Sequence, residues 1–325
     1  MKIVAGLGSV DEYIPYVQAG ADELFCGYVP YNWTKKYGTV LPLNRREVLA
    51  YNVQLGSFSE LEILSAMIRK YRKPVHIAMN SLYYIPEQYE EIADIVKQCM
   101  KIGFDSFILA DPALILYLRQ KDISCKIHLS GEVGEMNREA IKVFREMGIG
   151  RIIFHRKNTV ASMRQMIEAV NAEKLEFEAF ALNELCQFTG AFCNSLHCDE
   201  MGYLCRTTYW GDAEMEERME RVRKRTLEIE EQQEQQYLCG KSGCALCVLP
   251  QLEAAGITHL KLVGRGNYVE DMIRDIRNLK AALGVLEENQ REEKETGRYI
   301  DQLNKKIFDG QPCGKNCIYN PGQFL

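Results

Sequence analysis

Seven of the twelve cysteines in this 325-residue chain, Cys186, Cys193, Cys198, Cys205, Cys239, Cys244 and Cys247, fall between Glu178 and Pro250. Nothing in the sequence targets it for secretion, so disulfides explain this gathering poorly. Thiolates collected in a reduced compartment hold a soft metal or an iron–sulfur cluster. Spacing alone leaves zinc and iron–sulfur open. Cys186 and Cys193 are separated by six residues, Cys193 and Cys205 by eleven, and Cys205 and Cys244 by thirty-eight. Cys244-Ala-Leu-Cys247 is a C-x-x-C pair that, with Cys239, would also suit zinc. A loop-like pair, Cys313 and Cys317, lies near the end of the chain. Together with Cys239 and Cys247 it makes a candidate second metal site. Cys99 and Cys125 fall in helix and strand patterns and read as small apolar core residues.

The elements that must position these thiols follow a regular rhythm. Short apolar, β-type runs occur at 2–6, 22–27, 74–80, 104–110, 125–130, 150–155, 175–181 and 257–263, with helix patterns between them. Eight alternations of this kind predict an α/β fold, a (β/α)8 barrel of TIM type, with the cysteine-rich segment 182–250 inserted between strands seven and eight. A doubly wound open sheet is the rival, but the Gly-x-Gly-x-x-Gly phosphate loop it usually carries after its first strand is missing. Residues 28–56 show weak periodicity and read as an extended loop over one end. Residues 210–236 and 287–308 are dense in both charge signs and read as solvated helices. The division expected is a barrel over 1–285 and a charged helix with a cysteine-containing tail over 286–325.

Barrel enzymes carry their chemistry at the C-terminal ends of the strands. Those ends here present Cys26 and Tyr28, Asn80, Asp111, Ser130 and Glu132, His155 and Arg156, Asn183, and Arg265. Asn80, Ser130, Glu132 and His155 are the catalytic candidates. His155, Arg156, Lys261 and Arg265 could together hold a carboxylate or phosphate, which suits arginine's planar fork. Glu178 on the seventh strand needs a partner if it is buried, and Lys261 on the eighth is placed to be one. His128 shares a strand face with Ser130 and reads as an interior residue.

The totals narrow the class. Charged residues make up 26% and apolar residues 46%, as in an ordinary globular protein, and the net charge is −5. That acidic balance makes nucleic acid an unlikely partner and favours a small-molecule substrate. No apolar run approaches the ~20 residues of a membrane span, so a cytoplasmic protein with no membrane association is expected. Neither H-E-x-x-H nor G-x-S-x-G occurs, and only five histidines are available to activate a cysteine nucleophile.

A particular set of residues carries a resemblance. Glu178-Ala-Phe180 precedes Cys186, Cys193 follows seven positions later with Ser195 after it, Cys205 precedes Arg206, and Cys244 lies six residues before Pro250. Leu260-Lys261 and Gly264-Arg265 end the eighth strand, His128-Leu129-Ser130 ends the fifth, and Asn80 ends the third. This pattern resembles peptidase family U32, the collagenase-like family, over about residues 1–285. The resemblance implies a 4Fe–4S cluster on Cys186, Cys193, Cys205 and Cys244. It also implies a part in oxygen-independent hydroxylation, for which relatives use prephenate as oxygen source. A carboxylate-bearing donor would meet Arg156, Lys261 and Arg265. The sequence departs from the family at Leu182-Asn183, where His-Gly is common, and at Lys157, Val263, Glu132 and Met201.

The expectation is therefore an iron–sulfur hydroxylase, or a subunit of one, acting on a small organic substrate. It would work with an electron donor or acceptor protein, and with a homologous partner subunit if it acts as relatives do. The alternatives are a non-catalytic electron-transfer subunit, a U32-type peptidase, and a protein of RNA-base hydroxylation.

Overall fold

The computed structural model describes residues 1–38, 41–45, 53–170, 174–183, 220, 239–240, 243–291, 296–310 and 316–319. Most of the cysteine-rich segment, including Cys186, Cys193, Cys198 and Cys205, lies outside the described residues, as does Cys313. Eight parallel strands close into a barrel in chain order, β1 pairing with β2 and onward to β8, which returns to β1. They are β1 (Lys2–Leu7), β2 (Glu23–Gly27), β3 (Val75–Met79), β4 (Ser106–Leu109), β5 (Lys126–Leu129), β6 (Arg151–Ile153), β7 (Glu176–Leu182) and β8 (His259–Leu262). All eight apolar runs of the sequence become strands because each is buried on both faces, inside the barrel and under the helices.

The helices are α1 (Tyr13–Ala19), α2 (Tyr31–Tyr37), α3 (Phe58–Tyr71), α4 (Pro86–Lys101), α5 (Pro112–Gln120), α6 (Arg138–Glu146), α7 (Val160–Val170), α8 (Leu249–Ala254), α9 (Val269–Arg291) and α10 (Thr296–Ile307). Their starts are written locally. Ser57 and Glu60 form a capping box at α3, and Asn137 caps α6. Asp111 caps α5 ahead of Pro112, so this strand-end carboxylate is committed to the fold. The stretch 28–56 is not wholly loop, because it contains α2. That helix has seven residues and is anchored by the buried Trp33, whose Nε1 donates to Leu41 O at 3.3 Å. One aromatic anchor on two turns leaves too little periodicity to read. The long helix α9 runs through residue 286 to Arg291 without a break.

The barrel interior is polar toward the N-terminal ends of the strands, in place of the usual branched apolar layers. Arg151 reaches Glu23 (2.8 Å) and Glu178 (2.9 Å), and Lys261 binds the other oxygen of Glu178 at 2.9 Å. His76 contacts Glu23 at 2.9 Å, and His259 contacts it at 3.2 Å. The two interior carboxylates are thus matched by two permanent cations, which is what makes such an interior tolerable. Burial pushes the Glu178 carboxyl up, but the Lys261 and Arg151 cations outweigh it and hold it at about 2. Burial also opposes ionisation of Glu23, yet hydrogen bonds from His259 and His76 and the Arg151 charge carry it well below the carboxylate range. His76 and His128 pack edge to face with ring centroids 4.5 Å apart, and burial lowers both. His128 is an interior residue, as its strand position implied.

Candidate functional site

Above this charged floor the strand ends converge on a cationic mouth. Alternation along β2 and β7 turns Phe25 and Phe180 inward, beside Glu23 and Glu178. Lys261 Nζ sits 3.6 Å above the Phe25 ring, and the Arg156 guanidinium sits 3.8 Å from the centroid of Phe180. Burial lowers Lys261, and Glu178 partly restores it. Its charge is balanced from below, so of the three expected anion-binding cations it is the one tied into the floor.

Asn80, Ser130 and Glu132 come together as their common position at strand ends predicted. Asn80 Nδ2 donates to Ser130 Oγ at 3.4 Å, and Ser130 Oγ also accepts from Glu132 N at 3.2 Å. Glu132 faces two arginines, Arg45 Nε at 3.1 Å and Arg156 Nη1 at 3.8 Å. Arg45 and Asn44 come from the long segment after β2, and sequence pattern did not single them out. Arg45 N donates to Asn80 Oδ1 at 3.3 Å, and Asn44 Oδ1 accepts from Arg265 Nη1 at 3.4 Å. The only advance signal was two adjacent polar residues in a segment expected to lie over one barrel end.

Arg265 owes its position to the glycines around it. Gly264 has φ +153°, and a Cβ there would collide with Met272 and Asn267. Gly27 on the neighbouring rim leaves the space that the Arg265 guanidinium fills. These bare positions let a long side chain lie back across the mouth, buried at 6% exposure.

His155 is fully buried at the end of β6. Its Nδ1 accepts the Lys157 N–H at 3.2 Å, which puts the remaining proton on Nε2, and Nε2 has no hydrogen-bond partner among the described residues. Burial lowers its pKa, against the pull of Glu132, so the ring is a neutral N–H donor near neutral pH. Tyr319, from the C-terminal segment, is buried beside the Phe180 backbone and Arg156, and burial raises its phenol.

Three of the described cysteines, Cys239, Cys244 and Cys317, lie at one edge of this mouth. Cys244 pairs with Leu182 at the end of β7 and, on its other side, with Cys317. Cys244 N donates to Asn316 O at 2.7 Å, and Ile318 N donates to Cys244 O at 2.9 Å. Cys239 lies close enough to Cys244 and Asp275 for burial and both neighbours to raise its thiol. Cys99 and Cys125 are buried in the core, as expected. Among the described residues, no three His, Cys, Asp or Glu side chains form a group that could hold a metal ion. The one described member of the expected cluster set, Cys244, lies at the mouth edge.

A serine–histidine–glutamate chain does occur: Ser106 Oγ is 2.6 Å from His76 Nδ1, and His76 Nε2 is 2.9 Å from Glu23. It lies at the N-terminal ends of the strands, 2–5% exposed, away from the face where barrel enzymes act. A groove of ≈ 530 Å³ lined by Met136, Asn137, Arg138 and Met166 lies between α6 and α7, outside the barrel, and holds none of the candidates. No helix among the described residues is long and apolar enough to cross a membrane.

Fold and mouth together define a (β/α)8 barrel protein with an arginine-rich site at the C-terminal ends of its strands. The family model for peptidase family U32 matches residues 8–314, and the chain belongs to that family. It is 22% identical over 214 residues to "tRNA hydroxylation protein P1" of Bacillus subtilis (strain 168), covering 64% of this chain and 46% of that protein. It is 25% identical over 174 residues to "tRNA hydroxylation protein P" of Escherichia coli (strain K12), covering 54% of this chain and 34% of that protein. The chain thus spans less than half the length of these two relatives. A solved structure described as a U32 peptidase aligns at TM-score 0.41 and 14% identity over 56% of this chain and 69% of its own. The relatives' names run against the expectation, drawn from the acidic balance, that nucleic acid is an unlikely partner.

Proposed function

We propose that this protein acts in the oxygen-independent hydroxylation of a base in RNA, with tRNA the leading substrate. The observation that carries the reading is the mouth itself: Arg45, Arg156 and Arg265 gather with Asn80, Ser130, Glu132 and a His155 Nε2–H that finds no partner among the described residues. Family membership and the names of the relatives point the same way. Replacing a C–H of the base by C–OH withdraws an electron pair from it. An oxygen donor must therefore supply the oxygen and take up those electrons, or pass them to an acceptor protein. A carboxylate-bearing donor such as prephenate is suited to Arg156 and Arg265. Cys186, Cys193, Cys205 and Cys244 would hold a 4Fe–4S cluster, which supplies one-electron chemistry when bound. His155 would donate to a carbonyl oxygen of base or donor, and Phe25 and Phe180 would exclude water from the floor of the site.

The reading is tested by deleting the gene and digesting tRNA and rRNA to nucleosides for mass spectrometry. A hydroxylated nucleoside should vanish and return with the wild-type gene, but not with Cys244→Ser. Protein purified without air should contain about four irons per chain, and Cys244→Ser should lower this. Unchanged nucleosides with a colourless, zinc-loaded protein would refute it.

A further inference from the structure

Six large hydrophobic side chains stand exposed among the described residues, and they divide by type and place. Ile63, Leu116 and Val143 are aliphatic and sit within α3, α5 and α6 on the outer wall, where scattered exposure is ordinary. The other three are tyrosines: Tyr31, 74% exposed, Tyr83, 68%, and Tyr268, 81%. Each lies on the connection that leaves the C-terminal end of a strand, after β2, β3 and β8 respectively. With β1, those strands form one contiguous arc of the barrel, β8-β1-β2-β3. The three rings therefore stand on the mouth-side rim, on the side from which Arg265 reaches inward.

Folding leaves most of each of these side chains in solvent. An exposed tyrosine is a flat, rigid face that costs little entropy to fix against a second ring, and nucleobases present such faces. The charge around the rim selects the mode of binding. Lys35 and Lys157 are exposed there, but so are Glu87 and Glu270. Among the described residues this rim is of mixed sign, which favours stacking, needing no net charge, over a grip on duplex phosphates.

We propose that Tyr31, Tyr83 and Tyr268 form a stacking platform for unpaired bases flanking the target, so that this site takes a single-stranded RNA loop and not a helix. The proposal rests on the RNA reading above and adds to it the structural class of substrate and the residues that select it. Bases stacked along the β8-to-β3 arc would leave one base extruded toward Arg265, Asn80 and His155.

The test uses the full chain and two probes: a short RNA hairpin with an unpaired loop, and the same strand annealed to its full complement. The hairpin should bind and the duplex should bind much more weakly. Each of Tyr31→Ala, Tyr83→Ala and Tyr268→Ala should weaken hairpin binding by roughly tenfold, while the Phe variants stay near the parent. The salt dependence should be shallow, because the phosphates find few unopposed cations among the described rim residues. Equal binding of hairpin and duplex, no hairpin binding by the parent chain, or a triple alanine variant that binds like the parent would overturn the platform. The nucleoside analysis above is separate. Tyrosine-dependent hairpin binding with unchanged cellular nucleosides would leave the platform standing and remove the hydroxylation reading. Lost nucleosides with tyrosine-independent binding would do the reverse.

Discussion

Asp275, on α9, accepts a 2.7 Å hydrogen bond from Asn183 Nδ2 at the end of β7. Its other oxygen accepts from Gly240 N at 3.1 Å. One fully buried carboxylate thus ties the outer helix to the strand end and to the loop that carries Cys239 and leads to Cys244. Asn183 adopts a left-handed φ of +67°, a conformation asparagine tolerates. Removing the acceptor should leave two buried donors stranded. Asp275→Ala should cost about 2 kcal/mol in denaturant unfolding and should also lower bound iron. An unchanged iron content would mean that this tie does not hold the thiol edge in place.

The Lys261–Glu178 pair makes a second prediction. Lys261→Met leaves Glu178 with Arg151 alone in a buried setting, and breaking such a pair costs about 3 kcal/mol. Lys261→Met combined with Glu178→Gln should recover part of that loss, since the uncompensated charge goes too. A double variant no more stable than the lysine variant alone would show that Arg151 already satisfies Glu178.

Stability should fall in acid in two stages. His76 and His128 are held below their ordinary ~6.5, so above that pH they are neutral in folded and unfolded chains alike. Below it the unfolded chain takes up protons first, and stability declines. Glu178, held at about 2, contributes fully above the ordinary carboxylate value, and its contribution is lost as pH falls toward its folded value. Thermal midpoints should therefore drop from about pH 6.5 downward, the carboxylate stage falling below about pH 4.5. His128→Leu should flatten the upper part of that decline and leave the lower part. An identical slope in the variant would place the upper stage elsewhere.

Gly27 tests the mouth without touching the core. A Cβ there would run into Arg265 Nη1, the far end of a flexible side chain, and come within 3.0 Å of Asn44 Nδ2. Gly27→Ala should change stability by about 1 kcal/mol or less, yet displace the guanidinium. Binding of a dicarboxylate, followed by calorimetry, should weaken roughly tenfold, as expected for one lost charge-assisted contact. Retained affinity would remove Arg265 from the anion site.

The barrel was readable because a strand buried on both faces is a short, continuous apolar run, and eight such runs between helix patterns leave few other architectures. Adjacency of the seventh and eighth strands was enough to offer Lys261 as the partner of Glu178, and common position at strand ends was enough to bring Asn80, Ser130 and Glu132 together. These are local properties, repeated once per βα unit. Closure of the barrel decided the rest. Arg151 meets Glu23 across 128 positions of sequence, and Arg265 meets Asn44 across 221. No periodicity encodes such pairs, because they arise where the last strand returns to the first and a loop folds over the mouth. The same closure made Asp275 the anchor of the thiol edge and set three tyrosines from distant segments on one arc of the rim.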